Sequence, residues 1–530
     1  SAHNARKQKN HMNQSSKNPA SSSELITSRL REEMYPHPVA ELQLIETHIS
    51  WVILTGPYAY KIKKPINLGF LDFSSIAKRK LYCEEELRLN RRTAPSIYLD
   101  VVPITGSVSQ PQLEGDGEGE LIEVAVKMRQ FAQSAQLDNL LADGGLTASH
   151  MDAFARLVAE FHQQIDVAGT DDDYGEPQQV LQPVDENFAQ IREHQLTPQQ
   201  QQLLDELHHW STAEHQRLKT RLAERKQLGF IRECHGDMHL RNLAWIDNQA
   251  VAFDGIEFNP SLRWIDVISE VAFLVMDLQD RQQPALAQRF LNSYLEISGD
   301  YAALSLLPFY LVYRALVRAK VAAIRAGQAD IEDSERDSLQ DEMMTYLRLA
   351  QRYTQTEAGH LIIACGLSGS GKTTLTQPLL EQLPAIRIRS DVERKRLAGL
   401  QATERASAEP GEGIYTQQYS DTTYGCLLEL ASQIIDAGYS VIVDATFLQQ
   451  NQREKFQQLA TVKNVAFHIL NFTARTETLQ QRIMNRSGDA SDADLAVLQK
   501  QLNSIEALSA DEKPFVIDIE TETKTAVSPN

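Results

Sequence analysis

Cysteine is scarce in this chain: four in 530 residues, at Cys83, Cys234, Cys365 and Cys426, widely separated and without a CxxC pair. That excludes a disulfide framework and a zinc knuckle, and it makes reduced cytoplasm the expected compartment. No run approaches the roughly 18 apolar residues that a membrane-spanning helix demands, and the N-terminus lacks the apolar core of a secretion signal, so a soluble protein with no membrane partner is expected. Positive charge is also deficient. Lys and Arg total 52 against 71 Asp and Glu, a formal charge of −19, which excludes a broad electropositive face for duplex nucleic acid or anionic lipid and leaves room only for a local basic cleft. What the chain does contain is ordinary globular material, 42% hydrophobic and 23% charged. Its length suits about three structural units.

Residues 1–24 are rich in Asn, Ser and Lys with almost nothing to bury, and are expected to be a disordered tail. From residue 48 to about 127 the pattern is short β runs, HISWVIL, AYKIKK, YLDVVPI and LIEVAVKM, with one charged helix from Ser75 to Arg92 and a turn PQLEGDGEGE. A small antiparallel sheet carrying one helix follows from that. From Thr147 to Tyr353 the periodicity is helical, as in Phe154, Leu157, Val158 and Phe161, apart from one β island, LAWI-DNQA-VAFD, in which Asp247 and Asn248 supply a hairpin turn. After Gln355 strands and helices alternate, the signature of a parallel sheet with crossovers.

The sharpest motif lies in that last stretch. Gly366-Leu-Ser368-Gly369-Ser370-Gly371-Lys372-Thr373, continued by Thr374, fits GxxxxGK[ST] directly after an apolar strand. Its glycines let backbone N–H groups converge on phosphate oxygens, Lys372 reaches the outer phosphates, and the Thr373 hydroxyl suits Mg²⁺. Asp444 ends the strand SVIVD as a Walker B carboxylate does, and Asp391 closes AIRIRSD where strand C-termini face the ligand crevice, positioned to take a substrate hydroxyl's proton. Arg482 and Arg486, four apart on one helical face, are expected to close over a transferring phosphoryl group. No NKxD guanine signature follows, so ATP is favoured. Residues 358 to about 515, through GLSGSGKT, RSDVERKRL, VIVDATF and RIMNR, resemble the P-loop kinases of small molecules and polynucleotide ends, including gluconate, chloramphenicol and polynucleotide kinases and zeta toxins.

A second constellation lies upstream. In His235-Gly-Asp237-Met-His-Leu-Arg-Asn242 an Asp precedes an Asn by five residues, the spacing of the kinase catalytic loop HRDxxxxN. Asp237 is placed to accept a hydroxyl proton and Asn242 to hold Mg²⁺, and Asp254, followed by Gly255, fits the metal-binding Asp of DFG. The strand AYKIKK offers Lys61, Lys63 and Lys64 for the α- and β-phosphates, with Lys61 and Lys63 on one face; Lys61 is preferred, and Glu86 among Glu84, Glu85 and Glu86 as its helix partner.

Residues 38 to about 350 resemble the aminoglycoside phosphotransferase superfamily, and TGPYAYKIKKP, GFLDFS, LNRR and HGDMHLRN bring them closer to a bacterial group fused to a C-terminal P-loop kinase. The sequence departs from the kinase pattern in having no GxGxxG before the lysine strand, only Thr55-Gly56-Pro57. The resemblance implies a multidomain chain: an α+β bilobal protein-kinase-like fold, with an N-lobe at 25–130 and a helical C-lobe at 131–355, followed by an α/β P-loop NTPase domain at 356–520 and a tail at 521–530. It implies a tandem phosphotransferase using ATP and Mg²⁺ on a small-molecule or nucleotide acceptor. The alternative makes the P-loop half an RNA- or DNA-end kinase, served by a basic cluster at Arg387, Arg389, Arg394, Lys395 and Arg396, and the upstream half a regulatory or ligand-binding module. The oligomeric state is not legible.

Overall fold

The computed structural model describes residues 30–47, 49–67, 71–114, 119–328, 331–355, 359–400, 404, 416–485 and 491–522. The tail expected at 1–24, most of that expected at 521–530, and residues 115–118 of the acidic turn lie outside them. The chain forms two compact units. The first takes everything up to Ala135 together with the segment Ala252–Pro260; the second takes Gln136–Val251 and the chain from Ser261 on.

The first unit is a six-stranded antiparallel sheet in the order Gln43–Glu46, Ser50–Leu54, Tyr58–Lys63, Leu121–Arg129, Tyr98–Ser107, Gln110–Leu113. The outer strands Gln43–Glu46 and Gln110–Leu113 carry too little apolar alternation to be read from sequence. Side chains alternate across each strand. Thus Tyr60 and Ile62 enter an apolar core with Trp51, Ile53, Val102 and Ile104, while Lys61 and Lys63, also buried, occupy the opposite face. The helix Ile76–Asn90, capped by the Ser75 hydroxyl, covers that face. Its buried positions Arg79, Cys83, Glu86 and Asn90 follow helical spacing yet are mostly polar. It docks by ion pairs, as where Arg79 meets Glu123 at 2.8 Å.

In the second unit the helix Val267–Asp280 is apolar nearly all round, with every residue from Val267 to Leu278 buried, so it forms the centre of the helical part. It packs against Pro284–Ser298 and Leu307–Ala326. The hairpin Leu243–Ile246 and Gln249–Ala252 turns on Asp247 and Asn248, both with positive φ (51° and 60°), as a tight primed turn requires. Downstream, a five-stranded parallel sheet runs in the order Ala385–Arg389, Ser440–Asp444, His360–Cys365, Ala466–Thr473, Val516–Glu520. Its inner strands read as continuous apolar runs because both faces are covered.

One edge of that sheet is closed by the helical part of the same unit. The Asn292 amide, on helix Pro284–Ser298, donates to the Ala385 carbonyl (3.0 Å) and accepts from the Arg387 N–H (2.9 Å). A side-chain amide thus occupies the hydrogen bonds that an exposed edge strand would leave open.

Candidate active sites

The P-loop links strand His360–Cys365 to helix Lys372–Gln382. Gly366 must be glycine: a Cβ there would meet the Phe472 carbonyl at 2.6 Å and the Ser370 hydroxyl at 2.8 Å. Gly371, at φ 89°, turns the chain into the helix whose N-terminal N–H groups face the cleft. Lys372 Nζ donates to the Gly366 carbonyl at 2.8 Å. The Thr373 hydroxyl donates to Asp444 Oδ2 at 2.5 Å, bringing the two residues expected at Mg²⁺ into contact. The Ser370 hydroxyl is buried without a hydrogen-bond partner among the described residues. Lys372, Thr373, Asp391 and Asp444 line one cleft of about 330 Å³, with Ser368, Gly369, Gly371 and Thr374 on its P-loop wall.

Sequence reasoning missed the second grip on this loop. Gln501, on helix Leu495–Ser504, accepts from Ser368 N–H and donates to the Ser368 hydroxyl, both at 2.9 Å, and it lines the same cleft. No local pattern marks it, because its partner is 133 residues away. Arg482 lies elsewhere than over the cleft: it donates to the Gly369 carbonyl (3.3 Å) and to Thr521 (2.9 and 2.5 Å), bracing the back of the P-loop. Arg486 is outside the described residues. The basic cluster is partly neutralised. Lys395 is buried against Asp492 at 3.1 Å and Arg396 pairs with Glu393 at 3.0 Å; of the five, Arg389 and Arg394 line the cleft with Asp391.

In the first unit Lys61 Nζ lies 2.8 Å from Glu86 and 2.5 Å from Asp254. Lys63 reaches the other Glu86 oxygen at 2.6 Å, pairs with Glu257, and lies over the Phe73 ring. The two lysines differ in access. Lys63 is sealed by its acids and an aromatic face, while the partner of Lys61, Asp254, is about half exposed (48%). Asp254 has φ 62°, a conformation rare for a residue with a Cβ. The Tyr98 hydroxyl accepts its N–H at 3.0 Å and Asn90 accepts that of Gly255 at 2.8 Å. Burial pushes the Glu86 carboxyl up, and the two ammonium groups more than reverse this, holding it at about 2. The turn at Thr55-Gly56, where a glycine-rich loop would offer donors, has its N–H groups taken by the Gln130 side chain at 3.1 and 2.9 Å.

In the second unit the Asn242 amide donates to the Asp237 carboxylate and to its carbonyl, both at 2.9 Å, so the expected pair meets. Burial pushes the Asp237 carboxyl up, but the charge and hydrogen bond of His239, with His235 and Arg314 behind it, hold it well below the ordinary range. The loop is fixed from beneath. Glu270 accepts from Gly236 N–H (2.7 Å) and pairs with His162 (2.8 Å), Asp277 accepts from Leu240 N–H (2.9 Å), and Arg314 donates to the Gly236 carbonyl (3.3 Å). These supports come from distant helices and carry no motif of their own.

Fold and sites together define a phosphotransferase in which kinase-like elements precede a P-loop kinase domain. The AAA_33 family, described as an AAA domain, matches residues 361–508. The "Uncharacterized protein Rv2004c" of Mycobacterium tuberculosis is 30% identical over 463 residues, covering 86% of this chain and 89% of its own. The chain belongs to the family of that protein. Among solved structures, choline kinase from Cryptosporidium parvum Iowa II aligns at 10% identity over 62% of this chain and 95% of its own, TM-score 0.40. Chaetomium thermophilum Kti12, in complex with ADP-AlF3, aligns at 15% over 31% of this chain and 89% of its own, TM-score 0.23.

Proposed function

We propose that this chain is a tandem ATP-dependent phosphotransferase, each half moving a γ-phosphate to the hydroxyl of a small molecule or nucleotide. The contact between Thr373 and Asp444, in one cleft with Lys372 and Asp391, carries the reading. A hydroxyl and a carboxylate are hard oxygen donors of the kind Mg²⁺ takes, and the Ser370 hydroxyl, without a partner among the described residues, is a further polar atom in the same loop. Mg²⁺ held there supplies charge neutralisation at the phosphates. Lys372 and the P-loop N–H groups orient the phosphate chain, and Asp391 takes the acceptor's proton. In the first unit Lys61, held by Glu86, serves the phosphates and Asp254 supplies a metal-binding oxygen; in the second, Asn242 supplies one beside Asp237. Asp237, ionised across neutral pH, orients and deprotonates the hydroxyl.

Two observations bear on the alternatives. The pairing of Lys395 with Asp492 and of Arg396 with Glu393, which removes two cations from the cluster, supports a small acceptor over a nucleic-acid strand. Against independence of the halves, Glu296 of the helical part holds Arg389 at 3.1 Å, and Arg389 Nε lies 4.0 Å from Asp444; this chain of contacts supports a regulatory role for the upstream half as the second reading. The test is ATP-dependent phosphate incorporation into a cytosolic metabolite and RNA extract, read by mass spectrometry, for wild type, Asp237→Asn and Lys372→Ala. Products lost separately in the two variants are expected. Loss of every product in Lys372→Ala, with none lost in Asp237→Asn, would make the upstream half regulatory.

A further inference from the structure

Beside the P-loop cleft lies a second and larger cavity, of about 880 Å³, which shares Thr373, Thr374 and Arg389 with it. One wall belongs to the P-loop domain, through Arg387 and Arg389 of the edge strand. The other belongs to the helical part, through Asp152 and Arg156 on helix Ala148–Gln164 and Arg289 and Glu296 on helix Pro284–Ser298. Five arginines line it against three carboxylates. The carboxylates do not neutralise them all. Asp152 is taken by Arg289 in a two-pronged pair at 2.7 and 2.6 Å, and Glu296 by Arg389.

Arg387 is left with no direct ion pair among the described residues. It is 9% exposed, its Nη1 donates to the Thr373 carbonyl at 2.9 Å and the Thr376 hydroxyl at 3.3 Å, and its Nε is buried without a partner among them. A buried guanidinium without a direct ion pair is costly, and burial pushes Arg387 below its ordinary value although the charges of Glu296 and Asp444 partly offset this. Arg156, across the cavity and exposed, likewise has no ion-pair partner among the described residues. The third lining carboxylate, Glu160, stands one turn after Arg156 on helix Ala148–Gln164 without forming an ion pair with it among the described residues, so the site keeps an excess of positive charge centred on Arg387, has room for a molecule of metabolite size, and touches the residues that begin the Walker helix.

We propose that this cavity binds the anionic group of the P-loop kinase's acceptor, and that the acceptor is a small molecule already carrying a phosphate monoester. The proposal rests on the kinase reading of the P-loop cleft. The phosphate is held between Arg387 and Arg156, and the rest of the molecule passes Arg389 into the cleft, where Asp391 faces its hydroxyl. In the transfer, the hydroxyl oxygen bonds to the γ-phosphorus of ATP, the bond from that phosphorus to the β,γ-bridging oxygen breaks, ADP leaves, and the hydroxyl proton passes to the Asp391 carboxylate. The product is a bisphosphorylated molecule. The acceptor must then come from a reaction class that makes phosphate monoesters, of which a hydroxyl kinase is one.

The test uses the full chain with the P-loop saturated by a non-hydrolysable ATP analogue and Mg²⁺, so that a second phosphate site is read alone. Inorganic phosphate is titrated by calorimetry into wild type, Arg156→Glu and Arg387→Lys. We expect one phosphate site in the wild type, weakened about tenfold or more in each variant, with analogue affinity unchanged in Arg156→Glu. In turnover with matched pairs of sugars or nucleosides and their monophosphates, the monophosphates are expected as acceptors, with Arg156→Glu raising KM at constant kcat. Phosphate binding that is absent, or indifferent to Arg156→Glu, overturns the proposal, as does equal turnover of the unphosphorylated parents. Failure of the wild type to bind the analogue overturns instead the kinase reading of the cleft.

Discussion

Glu86 is the centre of a buried ionic cluster in the first unit: one fully buried carboxylate serving two buried ammonium groups, with Glu257 and Asp254 completing the cluster. Removing one member of a buried ionic set leaves the others uncompensated, which costs more than the pairs themselves contribute. Glu86→Gln keeps the shape and deletes the charge, and should lower stability by about 3 kcal/mol at neutral pH in urea unfolding. The pH dependence has a definite sign. The folded carboxyl sits at about 2, below an unfolded value of about 4.3, so its stabilisation is complete above about pH 4.3 and lost as pH falls toward 2. The gap between wild type and Glu86→Gln should therefore close across that interval, and a gap constant down to pH 2 would mean that Glu86 contributes through shape alone.

At the scale of elements, the P-loop is gripped from two sides: from its own helix, and through the paired hydrogen bonds of Gln501 on helix Leu495–Ser504. Both bonds end on Ser368, so losing them frees a loop whose N–H groups must point together to hold phosphate. Gln501→Ala should weaken binding of an ATP analogue about tenfold in calorimetry while leaving far-ultraviolet circular dichroism unchanged, since two hydrogen bonds to an ordered loop are worth about 1–2 kcal/mol. Unchanged affinity would show that the loop is fully ordered by its glycines and helix. Helix Ile76–Asn90 teaches a related lesson. Its covered face mixes Arg79, Glu86 and Asn90 with only Cys83 and Leu89, so hydrophobic periodicity locates the helix only weakly and its docking depends on partners elsewhere in the chain.

For the molecule as a whole, the first unit is discontinuous in sequence. Ala252–Pro260 belongs with residues up to 135, because Asp254 and Glu257 answer Lys61 and Lys63 across 193 and 194 residues. A fragment ending at Ala135 retains both lysines and loses two of their three acids. It should show no cooperative thermal transition, whereas the full chain should; a fragment that unfolds cooperatively at the full chain's temperature would refute this dependence.

The motifs were legible because each is local. The P-loop, the Asp237 to Asn242 loop and the Asp247-Asn248 turn are specified by residues within one turn or loop, where backbone geometry admits few side chains. The parallel sheet was legible for the same reason, through apolar runs alternating with helices. Sequence left Lys61 and Lys63 open, placed Arg482 as a closing arm, and read five basic residues as one cluster. Those matters depend on which distant carboxylate or carbonyl reaches each cation: Glu257 for Lys63, Thr521 for Arg482, Asp492 for Lys395. Ion pairs between segments far apart in sequence leave no periodic trace, so tertiary structure alone decides which charges are spent within the fold and which, like Arg387, remain for a ligand.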